Sequence, residues 1–112
     1  MPMPDITQVS VGATPTLEFL LPTSVDLTDA NIYFSIEQFN RTLIEKSSVD
    51  SEDVSYDGNT VSVYLSQIDT LQLSDGEAKA QLNITKESGK IRLPTYEAPI
   101  KILHNEIKRV LI

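Results

Sequence analysis

The stretch Glu77-Ala78-Lys79-Ala80-Gln81-Leu82-Asn83-Ile84-Thr85 decides the fold class. Ala78, Ala80, Leu82 and Ile84 are apolar, and every residue between them is charged or polar. Successive strand residues point to opposite faces, so this period of two buries one set of side chains and leaves the other in water. It is the pattern of an antiparallel strand with one face on a core.

Downstream, Glu87-Ser88-Gly89-Lys90 reads as a hairpin loop, and Ile91 and Leu93 begin a partner strand. Pro94 and Pro99 interrupt that partner, which predicts an edge position or a bulge, because proline lacks the ladder donor. Ala98, Ile100 and Ile102 resume the inward set. Upstream, Asp75-Gly76 is a turn signal. Ser66 to Leu73 breaks the alternation, and Ser66 is placed to cap a single helical turn. In that turn Ile68 and Leu71 are expected to point inward, with Leu73 closing the bottom of the core.

Alternation returns in Val61, Val63 and Leu65, opposed by Ser62, Tyr64 and Ser66, after an Asp57-Gly58 turn. Ser47 to Asp57 is acidic and polar and reads as a surface loop. Ile32, Phe34 and Ile36 alternate with Asn31, Tyr33, Ser35 and Glu37. Asn40-Arg41 is the expected turn, with a return strand from Thr42 to Lys46. Leu17 and Phe19 form an earlier strand that Pro22 stops.

Residues 1–14 read as an N-terminal arm, with Ile6, Val9 and Val11 able to pair it as an edge strand. Residues 15–112 read as one β-sandwich domain. About seven short strands joined by tight turns predict an all-β, Ig-like antiparallel β-sandwich with one short helical turn near Ser66–Leu73. Paired cysteines and tryptophan are absent, so "Ig-like" describes architecture alone.

With 112 residues the chain suits a single domain. The 16 acidic and 9 basic residues leave a net charge of -7, which repels a phosphate backbone and argues against nucleic acid as a partner. No apolar run reaches the roughly 20 residues of a membrane span. The start Met1-Pro2-Met3-Pro4-Asp5 has no basic region and no apolar stretch, so no signal peptide is expected. Without cysteine there is no disulfide, thiolate zinc site or thiol nucleophile.

Candidate chemistry is sparse. His104 is the single histidine. A Ser-His-Asp triad would need it as base, yet no Gly-x-Ser-x-Gly elbow accompanies it. It is read as a strand-end histidine. Asp50-Ser51-Glu52-Asp53, with Asp57 nearby, is the densest acidic cluster, but it lacks the order of a calcium loop and is read as solvated. No catalytic residue, metal or cofactor is therefore expected. Tyr33 and Tyr64 lie opposite the core residues of their strands. On neighbouring strands they would form an aromatic patch, and Tyr96 is a third platform. Equally, tyrosines at such places stabilise a sheet as cross-strand pairs.

The phrases Thr14-Pro15-Thr16-Leu17-Glu18-Phe19, Asp26-Leu27-Thr28-Asp29-Ala30-Asn31-Ile32-Tyr33-Phe34, Asp57-Gly58-Asn59-Thr60-Val61 and Leu65-Ser66-Gln67-Ile68-Asp69-Thr70-Leu71 together suggest a family. They resemble small structural proteins of the tail and baseplate modules of phages and prophages of Gram-positive bacteria. They are also similar to the N-terminal Ig-like domain of baseplate upper proteins. The resemblance runs from about Thr14 to the C-terminus, without the downstream oligomerisation segments of a full baseplate upper protein. It implies a virion structural or assembly protein, a tail- or baseplate-associated adaptor assembled in the host cytoplasm, whose partners are other proteins of the particle or copies of itself.

Expected interface residues are the arm positions Ile6, Val9 and Val11, the tyrosines Tyr33 and Tyr64, and Ile107, Val110, Leu111 and Ile112. An unpaired strand edge is a template for another chain. For the last group both a helical face and a β-branched strand are open readings. The alternative function is a carbohydrate-binding β-sandwich that uses exposed tyrosines.

Overall fold

A computed structural model describes residues 7–112. The strands are β1 (Thr7–Ser10), β2 (Thr16–Leu20), β3 (Asn31–Gln38), β4 (Arg41–Ser47), β5 (Val54–Asp57), β6 (Thr60–Tyr64), β7 (Gly76–Lys86), β8 (Ile91–Arg92) and β9 (Tyr96–Leu103). One short helix, α1 (Gln67–Leu71), precedes β7, and a 3-10 turn (Glu87–Gly89) follows it. The chain is an all-β sandwich. A six-stranded sheet runs in the order β1-β9-β7-β3-β4, with β8 paired to the far end of β7, and faces a three-stranded sheet in the order β2-β6-β5.

The alternation works as expected. Ala78, Ala80, Leu82 and Ile84 of β7 are buried, as are Ile32, Phe34 and Ile36 of β3 and Val61 and Val63 of β6. The two inner faces meet through Phe19 and Phe34, whose ring centroids lie 5.9 Å apart. That spacing is within the range of favourable tilted aromatic pairs. Pro99 falls one residue before β1 begins to pair with β9 at Thr7↔Ile100 among the described residues. On the other side Pro99 is paired with Lys79 of β7, so β9 continues through it as an inner strand and the expected interruption there does not occur.

Several local features differ from expectation. β1 is an edge strand, as the arm was expected to be able to form, but it lies parallel to β9 in an otherwise antiparallel assembly. Val54–Asp57, expected as loop, is strand β5, with Val54 buried opposite Val63. The β3–β4 turn is Phe39-Asn40, one residue earlier than expected, with φ of 56° and 60°. Positive φ at both central residues is the type I′ geometry that suits the twist of a hairpin. A bulge between Ile36/Glu37 of β3 and Ile44/Thr42 of β4 absorbs the shift, which keeps Ile44 in the core.

Ser66 caps α1 as expected. Its hydroxyl accepts from the Asp69 amide at 3.2 Å, and the Asp69 carboxylate accepts from the Ser66 amide at 2.8 Å, closing a capping box. Leu71 packs against the core and Leu73 is buried. Ile68, expected inside, is 65% exposed, and Thr70 is the buried residue of the turn. The Thr70 hydroxyl donates to the Ala13 carbonyl at 2.8 Å, so a polar side chain fits where an isoleucine would leave that acceptor unpaired.

Candidate functional site

Three surface regions combine exposed side chains with defined geometry. The broadest is the outer face of the six-stranded sheet. Inward placement of Ile32, Phe34 and Ile36 turns Asn31, Tyr33, Ser35 and Glu37 outward, and the same rule on β7 exposes Gln81, Asn83 and Thr85. Pairing places Tyr33 opposite Asn83, Ser35 opposite Gln81 and Asn31 opposite Thr85. On the far side Ser35 faces Glu45, and Thr85 faces Arg92 of β8.

A hydrogen-bonded row crosses this face. The Arg92 guanidinium donates to Asn83 Oδ1 at 2.8 Å, and the Thr95 hydroxyl donates to the same oxygen at 2.9 Å. Asn83 Nδ2 donates to Gln81 Oε1 at 3.1 Å, and Gln81 Nε2 donates to Glu97 Oε1 at 3.0 Å. Beside this row lies an open recess of about 520 Å³ lined by Asn31, Tyr33, Glu45, Val49, Asn83, Thr85 and Arg92. Ser88 and Gly89 form its rim. Glu87, Ser88 and Gly89 all hold positive φ, at 52°, 57° and 90°. For residues other than glycine this conformation costs about 1–2 kcal/mol each.

The second region is the α1 end of the sandwich. Beyond β9 the chain forms neither strand nor helix. The Asn105 side-chain amide donates to the Val11 carbonyl at 3.1 Å. Farther along, Gln67 Nε2 donates to the Leu111 carbonyl at 2.8 Å and Gln67 Oε1 accepts from the Leu111 amide at 2.7 Å. This two-point clasp holds the segment against α1. Ile68, Ile107, Val110, Leu111 and Ile112 are all exposed there.

The third region closes the β4/β5 side. Lys46 Nζ lies 2.7 Å from Asp53 Oδ2 and 2.7 Å from Asp69 Oδ2, linking β4, α1 and the turn that precedes β5. Burial opposes charge on Lys46, but hydrogen bonds and attraction from Asp53 and Asp69 outweigh it and raise its pKa above the ordinary 10.5. Burial likewise opposes charge on Asp69, yet Lys46 and the Ser66 amide outweigh it and hold the carboxyl below 3.8. Asp50 accepts from the Ser47 hydroxyl at 3.1 Å, so the acidic loop folds onto its own neighbours. Among the described residues no group of three or more His, Cys, Asp or Glu side chains gathers as a metal site. His104 is exposed at the end of β9.

The expected interface residues fall in different places. Ile6 lies outside the described residues. Val9 and Val11 are 1% and 2% exposed and belong to the domain's own core, so they are not free to meet a partner. Parallel pairing with β9 turns Val9 inward beside Ile102, which is why the expectation for these two fails. Tyr33 and Tyr64 are both part-exposed, but on the outer faces of opposite sheets, so they form no common patch. Tyr96 is half-buried against the core. The grouping of Glu45, Asn83, Thr85 and Arg92 with Tyr33 was missed because these residues come from other strands.

No family model and no curated protein matches the chain. Among solved structures, it is similar to a proposed glycoside hydrolase from Bacteroides vulgatus ATCC 8482, with a TM-score of 0.53 and 12% identity. The match covers 88% of this chain and 16% of that one, so the chain spans about a sixth of the neighbour's length. At that identity the likeness extends to the fold.

Proposed function

We propose that the chain is a structural or assembly module of a phage or prophage particle, an adaptor associated with the tail or baseplate that works through protein–protein interfaces without turnover. The phrase-level resemblance from Thr14 onward supports the particle. The observation that carries the adaptor reading is the α1 end, where the Gln67–Leu111 clasp holds the last segment to α1 and Ile68, Ile107, Val110 and Leu111 are each exposed to water. Contiguous exposed apolar side chains on a protein surface mark interaction sites. Strand edges add to this, because β4 borders one sheet and β2 and β5 border the other. Each offers backbone groups to a neighbouring chain.

The test is mass spectrometry and immunogold labelling of particles purified from a bacterium carrying the gene. The chain is expected in tail-bearing particles at a stoichiometry that Ile107→Lys with Leu111→Lys reduces at least tenfold, about 1.4 kcal/mol of binding. Particles of full composition lacking the chain would overturn the proposal.

A further inference from the structure

We infer that the outer face of the six-stranded sheet around Tyr33 is a binding site for an uncharged oligosaccharide. The site is separate from the apolar α1 end and does not depend on the particle assignment. A pyranose presents an apolar face of C–H groups and an equator of hydroxyls. The recess matches both parts.

Tyr33 is 37% exposed on the open face, so its ring offers a platform for the sugar's apolar face. Around it stand planar polar groups of both kinds. The Asn31 amide donates and accepts, the Asn83 amide keeps one N–H to donate, the Glu45 carboxylate accepts, and the Thr85 hydroxyl does either. Asn83 is fixed by Arg92, Thr95 and Gln81 before any ligand arrives, which lowers the ordering cost of binding. A recess of about 520 Å³ lies within the range of small-molecule sites.

Charge selects the class of sugar. The chain carries a net charge of -7, and Glu45 lies in the recess. Arg92 is the one cation among the recess-lining residues, and it already donates to Asn83. Arg92 keeps its charge, but with Glu45 beside it in the recess and an excess of acidic groups over the whole chain the balance opposes an anionic sugar. Neutral hexoses and N-acetylhexosamines meet hydrogen-bonding groups together with the apolar surfaces of Tyr33 and Val49. Strained backbone at Glu87–Gly89 borders the same recess, and such strain concentrates at ligand-holding loops.

The experiment uses the full chain, ¹⁵N-labelled, titrated with cellotriose, maltotriose, a β-1,4-linked N-acetylglucosamine trimer and, as an anionic control, a trigalacturonate. At least one neutral trisaccharide is expected to shift the amides of Asn31, Tyr33, Asn83, Ser88 and Gly89, with trigalacturonate shifting none. Tyr33→Ala is expected to weaken binding at least tenfold, and Tyr64→Ala, on the opposite sheet, to leave it unchanged. The inference is overturned by no neutral sugar binding at roughly 10 mM, near the weak end of measurable affinity. Shifts mapping to another face, stronger binding of the anionic sugar, or a folded Tyr33→Ala chain that binds undiminished would also overturn it. The wild-type shift map decides the matter even if Tyr33→Ala does not fold.

Discussion

The β3–β4 hairpin allows a test in which replacing an aromatic residue raises stability. Phe39 occupies the first central position of the type I′ turn at a φ of 56°. A left-handed conformation costs an ordinary L-residue about 1–2 kcal/mol, and asparagine tolerates it best among non-glycine residues. The ring repays little of that, because it is 71% exposed. Full burial of a phenylalanine is worth about 1.5–3 kcal/mol, so the covered part contributes about 0.4–0.9 kcal/mol. Phe39→Asn should therefore stabilise the domain by about 0.5 kcal/mol. Phe39→Val loses the same contacts and puts a β-branched residue in the strained position, so it should destabilise by about 1 kcal/mol. At roughly 4 °C per kcal/mol for a domain of this size, the two variants should differ in Tm by about 4–8 °C. Calorimetry and urea denaturation on the pair read this directly. Equal stability of the Asn and Val variants would refute the positive-φ turn, and a large loss in Phe39→Asn would show that the ring packs on something.

Gln38 is buried, accepting from the Ser74 amide at 2.9 Å and donating to the Ser74 carbonyl at 2.6 Å. Gln38→Leu keeps the volume but strands both groups, so urea denaturation should show a loss of about 2–3 kcal/mol. A change under about 0.5 kcal/mol would mean the clamp contributes nothing. Asp69, whose folded pKa is depressed, adds stability above its ordinary 3.8 that is lost as pH falls through the folded value. Lys46, raised above 10.5, adds stability at lower pH that is lost as pH climbs through its folded value. Asp69→Asn should accordingly lower the Tm at pH 7 and flatten its fall as the pH drops below 3.8. An unchanged acid limb would remove Asp69 from the account. On α1, Ile68→Ser should fall within about 0.5 kcal/mol of wild type in a thermal melt. Leu73→Ala, at a buried position, should cost about 2–4 kcal/mol in the same assay, and the reverse order would refute the orientation of the turn.

The alternation of β3, β6 and β7, the cap at Ser66 and the turn at Asp57-Gly58 were legible because each depends on residues a few positions apart, whereas Gly76, expected in a turn, opens β7 opposite Ile102. Such signals assign a side chain to a face, and that was enough for an all-β sandwich. They do not say which strand lies alongside. Val9 and Val11 reach the core through parallel pairing with β9, some ninety positions away in the chain. Nothing local distinguishes that from an exposed arm. Val54 and Tyr56 alternate like any strand, but with Val54 as the single buried apolar residue of β5 the acidic surroundings masked them.

The turn was misplaced by one residue because asparagine suits both central positions, and the Gln38↔Arg41 pairing with positive φ at Phe39 and Asn40 shows which was used. Tyr33 stood out in the sequence as an outward aromatic residue. Its setting among Asn31, Glu45, Asn83 and Arg92 depends on strand order, which long-range pairing decides. Side-chain periodicity thus determined which residues face the interior. Tertiary packing decided the neighbours, because backbone ladders join strands regardless of their distance along the chain and the closing of two sheets over one core selects among them.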